Sequence, residues 1–426
     1  MNLSLHKLEN GIPVLLNLDE QAETVCVLVG VGVGSNHEAD NEHGLAHFFE
    51  HMCFKGTETF PNQKALLTHL DGLGVVSNAF TSNEYTAYYT HGRSERCSDM
   101  LQVTADIFLH SLFAEEEVAK EKGVVLEEIA MYEDDPSEKS HESVELSLFA
   151  GTAAGHPVIG TVPSVQSFSR SQFVSFFEKH YTTGNMIISI AGKFDPEQVL
   201  SELNRLYTKA PAGKKADPII LTPSGPAASH RSIVRSDMEQ MRVAIGGYAP
   251  SMQSSDRFAA TVFTTLFGGS MSSRLFLRIR EEMGACYDIG SYNHMQSSAG
   301  LHGISTGIPP ARVAEVSGAI AEECSKVCAD AVSDEELRRA KDQVLGRFAV
   351  ARESVGQRAT RQALLYLQTG GGEDEHTFVQ HIEAVTADAV QQVARDIYTP
   401  QKMAICYIGK DEVQEEVSDA FFKTLV

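Results

Sequence analysis

The chain has 426 residues, 57 of them Asp or Glu and 35 Lys or Arg, for a formal net charge of −22. Hydrophobic residues make up 42% and charged residues 22%, a globular balance and not a disordered one, and the length allows roughly two to four domains with cores of their own. A chain this acidic is repelled by nucleic-acid backbones and anionic membranes, so neither is expected as a partner.

Taken in chain order, the opening segment Met1-Asn-Leu-Ser-Leu-His-Lys-Leu lacks a basic stretch followed by an apolar one, and no secretory signal is expected. Asn10-Gly11, between Leu8 and the apolar run from Ile12 to Leu16, predicts a hairpin turn. Thr24 to Val33 is mostly apolar and predicts a strand buried on both faces or nearly so. The longest apolar run, Val25 to Gly34, is too short to span a bilayer. Within it, Gly30-Val-Gly-Val-Gly34 superficially suggests a phosphate loop, but it is GxGxG without the third spaced glycine, so nucleotide binding is not expected.

Helical patterns follow at about 43–55, 62–73, 94–112 and 114–134, with a strand pair around 75–78 and 85–90. Strands and helices then alternate to about residue 207. From Lys209 to Ser229 the chain holds Pro211, Pro218, Pro223 and Pro226 with Gly213 and Gly225, which predicts a linker over 209–229 between domains 1–208 and 230–426. Beyond it, Arg242–Gly247 reads as a strand and Asp256–Phe267 as a helix ending in Gly268-Gly269. The first half likewise runs from a strand into the helix His43–Phe54. Laying Phe54 on Phe267 sets His47, Glu50 and His51 on Ala260, Phe263 and Thr264. The halves therefore read as a duplication in which only the first copy carries metal-competent residues on that helix. Cys324 and Cys328 are spaced i,i+4 without a second pair and read as buried thiols; the seven scattered cysteines fit a reducing cytoplasm. Gly370-Gly-Gly372 reads as a loop.

The stretch richest in chemistry is His47-Phe48-Phe49-Glu50-His51. Histidines four apart share one helix face, so both imidazoles can reach one ion. Zn²⁺ takes imidazole nitrogens and carboxylate oxygens and, in catalytic sites, keeps one position for water, for which Glu50 is a candidate general base. The order HxxEH is the reverse of HExxH. Alone, the pattern could equally be two histidines at a core edge, but Phe48, Phe49, Met52 and Phe54 make the helix too apolar to be solvated, and a half-buried histidine needs a partner. A third ligand could come from the predicted helix at 114–134. There Glu121 and Glu128, seven apart, share a face that Glu127 does not; a solvated acidic face remains the alternative reading.

Gly44-Leu-Ala-His-Phe-Phe-Glu-His-Met-Cys-Phe-Lys-Gly-Thr57 resembles the signature of the pitrilysin-type (inverzincin) metallopeptidases, in the branch of mitochondrial processing peptidase and its bacterial relatives. Leu8–Val14, Asn78–Tyr89 and Ser270–Tyr287 are similar to other segments of that family, so the resemblance covers most of the chain. It implies an α+β fold of two homologous domains, each a mixed or antiparallel sheet packed with helices on one side. It implies zinc held by His47, His51 and Glu128, water activated by Glu50, and a supporting Glu121. It also implies a substrate strand added at Asn78, Ala79 and Phe80, a substrate carbonyl bound by Arg280, and the reacting carbonyl steadied by Tyr287. The implied activity is that of a zinc endopeptidase on peptides or unfolded segments; the alternative is a non-catalytic or partner-dependent structural subunit. A working enclosure in the family takes four such domains. A homodimer is expected, with a heterodimer with a sister chain still open.

The charge is uneven. Residues 1–210 hold 30 acids and 13 bases, residues 211–426 hold 27 and 22, and Ala114 to Glu145 alone holds 12 acids against 3 bases. Basic peptides are therefore the expected substrates.

Overall fold

The computed structural model describes residues 2–222 and 229–425. Strands β1 (Asn2–Lys7) and β2 (Pro13–Leu18) form a hairpin around Asn10-Gly11. Gly11 turns there at φ +89°, in the left-handed region that favours glycine, and its N–H donates to Leu8 O at 2.9 Å. They join β3 (Thr24–Val31), β4 (Val76–Thr81), β5 (Thr86–Arg93) and β6 (Met186–Gly192) in a six-stranded sheet of order β1-β2-β6-β3-β5-β4. Only the β2–β6 pair is parallel.

The apolar run of β3 is explained by its two buried faces. Val25, Val27, Val29 and Val31 enter one core, while Cys26 and Leu28 enter another. The first core is closed by helices α1 (Leu45–Met52), α2 (Gln63–Leu73) and α3 (Cys97–Leu109), and by the helices Arg170–His180 and Pro196–Tyr207. The second lies under the helix Val355–Thr369, whose Val355, Ala359 and Ala363 recur every four residues along one face. A Cβ at Gly30 would lie 3.0 Å from Leu367 of that helix, and one at Gly34 would lie 2.1 Å from Ser82 O. The glycine run in and after β3 thus serves close packing.

A second sheet holds β7 (Ser229–Val234), β8 (Met241–Ala249), β9 (Ile289–Met295), β10 (Gly300–Ile308) and β11 (Met403–Gly409), in the order β7-β11-β8-β10-β9 with only β7–β11 parallel. Strands β2 to β6 and β7 to β11 therefore repeat one order and one pattern of directions, as a duplication would. Met241, Val243 and Ile245 face a core closed by the helices Arg257–Phe267, Val313–Ala329, Ala387–Ile397 and Glu415–Thr424. Helix α4 spans Glu115–Asp134 and α5 spans Pro136–Leu148; α5 lies on the other face of the second sheet, where Val144 and Leu148 meet the bare backbone of Gly246.

The compact units are not the two sequence halves. One comprises Met1–Ala130, His156–Ile219 and Ala349–Asp374; the other comprises Met131–Gly155, Ile220–Phe348 and Glu375–Val426. Against the expected division into 1–208 and 230–426, each half gives one helical segment to the other half's sheet. Residues 209–222 carry no helix or strand, and Pro211 O and Ala216 N–H bond to Thr183 N–H and the Asn185 side chain of the first unit. The predicted linker residues Pro223, Gly225 and Pro226 lie outside the described residues. No described helix is long and apolar enough to cross a membrane. All seven cysteines are free; Cys324 is buried and Cys328 half-buried, its thiol pushed up to about 11 by burial.

Candidate metal centre

Helix α1 forms because its apolar residues recur on one side. Leu45, Ala46, Phe48, Phe49 and Met52 are buried, and the Phe49 ring lies 4.5 Å from Tyr181 and 4.9 Å from Phe113. His47, Glu50 and His51 are less buried than these core residues. The helix N-terminus is held by Glu38, whose carboxylate accepts the N–H groups of Gly44 at 2.9 Å and Ala46 at 2.7 Å. Burial pushes the Glu38 carboxyl up to about 8 in spite of these bonds. Gly44 sits at φ +92°, and a Cβ there would meet Ile159 O at 2.5 Å, so glycine is required where α1 begins.

Helix α4 brings two carboxylates to α1. Glu121 is buried with Val118, Val125 and Ile129, Glu128 is half-buried two turns further on, and Glu127 is exposed. His51 Nδ1 lies 2.9 Å from Glu121 Oε1 and His51 Nε2 lies 3.3 Å from Glu128 Oε2. His47 Nε2 lies 3.8 Å from Glu128 Oε1. Lys55 donates from Nζ to Glu121 Oε2 at 2.6 Å and to Gln63 Oε1 at 3.2 Å. Glu50 accepts a hydrogen bond of 2.6 Å from the Thr81 hydroxyl.

These contacts set the ionisation. Burial alone would lower His51, but its bonds to Glu121 and Glu128 carry it up to about 9. Burial, helped by the charge of His51, takes His47 down to about 4. Burial would raise Glu121, yet His51 and Lys55 hold it below the usual carboxylate range. The His51 hydrogen bond holds Glu128 low as well. Glu50 is raised by burial, with the Thr81 bond opposing.

His47, His51 and Glu128 each offer one ligand atom within 4.8 Å of the others, the only such group of three His, Cys, Asp or Glu side chains among the described residues. Tetrahedral Zn²⁺ with bonds of about 2.0–2.1 Å sets its donors roughly 3.3 Å apart; His51 Nε2 lies 3.3 Å from Glu128 Oε2 and His47 Nε2 3.8 Å from Glu128 Oε1, so the three side chains are already close to one ion's reach. Two imidazoles and a carboxylate are also the donor types it takes. Among the described residues His47 Nδ1, which is buried, has no hydrogen-bond partner, so none of them holds that ring as Glu121 holds His51.

Asn78, Ala79 and Phe80 sit on β4, the edge strand of the first sheet, where the Asn78 side chain accepts the Ala79 N–H at 2.9 Å. Arg280 and Tyr287 belong to the second unit. Arg280 lies in a π-helical turn, Phe276–Glu282, its guanidinium 4.7 Å from the Phe276 ring centre and 5.2 Å from that of Tyr287. Tyr287 is 79% exposed. In the second unit, the helix that answers to α1 has Ala260 and Phe263 in its core, and Thr264 is 3.1 Å from His302 Nδ1. Sequence reasoning missed Lys55 and Thr81. Lys55 lies one turn beyond His51, and Thr81 directly follows Asn78–Phe80, so proximity to both motifs was the available signal.

The structure is thus a duplicated α+β fold with a two-histidine, one-carboxylate cluster on one copy, the donor set of a metal-binding protein. Residues 13–162 match the family described as Insulinase (Peptidase family M16), and residues 167–344 match the Peptidase M16 inactive domain. An uncharacterized zinc protease from Rickettsia bellii (strain RML369-C) is 33% identical over 93% of this chain and 95% of its own. The crystal structure of a peptidase M16 inactive domain from Pseudomonas fluorescens superposes with a TM-score of 0.88 at 17% identity, covering 97% of this chain and all of that one. A chain of Complex III2 from Candida albicans shares the fold with a TM-score of 0.83 at 17% identity, over 99% of this chain and 100% of that one. The chain belongs to peptidase family M16, the pitrilysin-type family.

Proposed function

We propose that the chain is a zinc-dependent endopeptidase that cleaves peptides or unfolded segments. The observation that carries this reading is the convergence of His47 and His51 of α1 with Glu128 of α4, with Glu50 on α1 between the two histidines. Bound zinc would supply Lewis-acid polarisation of the scissile carbonyl and a lowered pKa for water. Glu50 takes the proton of the attacking water and returns it to the leaving amine, a task suited to a carboxyl raised by burial. Glu121 accepts a hydrogen bond from the His51 Nδ1–H and so leaves Nε2 as the ligand nitrogen. A peptide adds to the open edge of β4 at Asn78–Phe80 by backbone hydrogen bonds, with little side-chain selectivity. Arg280 binds a substrate carbonyl and Tyr287 stabilises the developing oxyanion, roles taken from the family motif. The exposure of Tyr287 supports access to a substrate. The active species is a homodimer in the cytoplasm, and basic peptides are preferred.

Glu50→Gln is the decisive variant: it should keep one zinc per chain and lose peptide cleavage by at least about a hundredfold. Cleavage at the wild-type rate would remove Glu50 from the mechanism. Tyr287→Phe should lower kcat with zinc retained, and sedimentation showing a fully active monomer would remove the dimer. The competing reading is a structural subunit, which the fold shared with a Complex III2 chain supports. The presence of every expected zinc ligand speaks against it, and purified wild-type protein without zinc or peptidase activity would favour it.

A further inference from the structure

The open edge of β4 and the carboxylate of Glu50 are joined by one side chain. On the edge, the Ala79 N–H is taken by the Asn78 side chain at 2.9 Å, so it points away from β5. Ser82, beyond the strand end, donates its N–H inward to Tyr85 O. Backbone groups alternate sides along an antiparallel strand, so Thr81, two residues from Ala79 and one from Ser82, also presents its main chain to the open edge. Its hydroxyl meanwhile reaches Glu50 Oε2 on α1. The competing acceptor, Thr86 Oγ1, is 3.4 Å away, and the Thr86 proton is itself committed to Val33 O at 2.9 Å. A charge-assisted bond of 2.6 Å to a carboxylate is the stronger of the two. Glu50 Oε1 has no protein hydrogen bond among the described residues, so one oxygen is held and the other is free to work.

We propose that Thr81 is a positioning residue through which a peptide paired on the edge of β4 fixes the general base Glu50. The inference rests on the peptidase reading and adds to it a coupling between strand docking and base orientation. A peptide long enough to pair with the Ala79 carbonyl and the Thr81 main chain immobilises the Thr81 backbone, and with it the hydroxyl that aims Glu50. A short peptide that leaves this edge vacant forgoes that effect.

The test compares wild type, Thr81→Val, Thr81→Ser and Glu50→Gln on a short peptide and on the same peptide extended to cover β4. Thr81→Val, equal in size to threonine but without the donor, should lower kcat on the long peptide about ten- to a hundredfold. KM should stay within about twofold, with zinc content and melting temperature unchanged. The gain in kcat on lengthening the substrate, present in wild type, should vanish in Thr81→Val, and Thr81→Ser should restore it to within about threefold of wild type. A wild-type kcat in Thr81→Val, a loss of zinc that parallels its loss of activity, or an undiminished length effect would each overturn the proposal. If Glu50→Gln cleaves like wild type, it is the peptidase reading that fails; if Glu50→Gln is dead and Thr81→Val is unimpaired, only the coupling fails.

Discussion

His51 is gripped at both ring nitrogens, by Glu121 at 2.9 Å and by Glu128 at 3.3 Å, and the two contacts are not equivalent. Glu121 is itself anchored through its second oxygen by Lys55, so it stays on Nδ1 as a fixed acceptor. That leaves Nε2 beside Glu128 as the nitrogen a metal can take. A carboxylate on the far nitrogen of a metal-bound histidine fixes its tautomer and raises its basicity as a ligand. Glu121→Gln keeps an acceptor for the Nδ1 proton but removes the negative charge and the partner of Lys55. It should weaken zinc binding about 10- to 100-fold, measured by competition with a chromophoric chelator. An affinity equal to that of wild type would reduce Glu121 to a packing group.

At the scale of elements, helix α5 and the helix Val355–Thr369 each pack on the sheet of the other half of the chain. Room for them is made by glycine: a Cβ at Gly246 would come within 2.4 Å of Val144 and 3.2 Å of Leu148. Valine is otherwise a good strand residue, so any cost of Gly246→Val reports the helix above it. The variant should lose about 1–3 kcal/mol of stability through overpacking, read as a lower melting temperature. Gly72→Ala, in the last turn of α2 with open space around its Cβ, is the control and should be neutral or stabilising. A melting temperature for Gly246→Val equal to that of wild type would mean that α5 does not bear on β8.

The same two helices mark the limit of what the sequence discloses. The apolar run of β3, the Asn10-Gly11 hairpin and the α1 pattern were legible because each depends on neighbours a few residues away. The site histidines were legible for the same reason, since i,i+4 spacing places them without any tertiary knowledge. Which sheet Val144 and Leu148 bury against is set by contacts about a hundred residues distant, and periodicity carries no such address. Thr81 and Lys55 were missed on the same ground: a threonine on a strand and a lysine after a helix become informative only when Glu50 and Glu121 are brought to them.

For the whole molecule the relevant quantity is the net charge of −22 and where it sits. Within 114–145, Glu121 is neutralised by Lys55 and His51, and Glu128 faces His51. Glu133 pairs with Lys139 and Asp134 lies 3.9 Å from Arg235, while Glu115, Glu116, Glu127 and Asp135 are exposed on or just after the helix that supplies both. This surplus is solvated and costs little to fold, but its field acts on whatever approaches α4. Exposed charges are screened over about 8 Å at physiological ionic strength, so the field should act on encounter more than on the chemical step. A basic peptide should therefore be cleaved with a kcat/KM about tenfold above that of an acidic peptide of equal length at low salt. The difference should lie in kcat/KM and not in kcat, and should shrink as salt approaches 0.5 M, on the order of a 4 Å Debye length. Equal rates at low salt would assign the acidic surface to solubility alone; a preference that persists at high salt would point to direct ion pairing with the substrate.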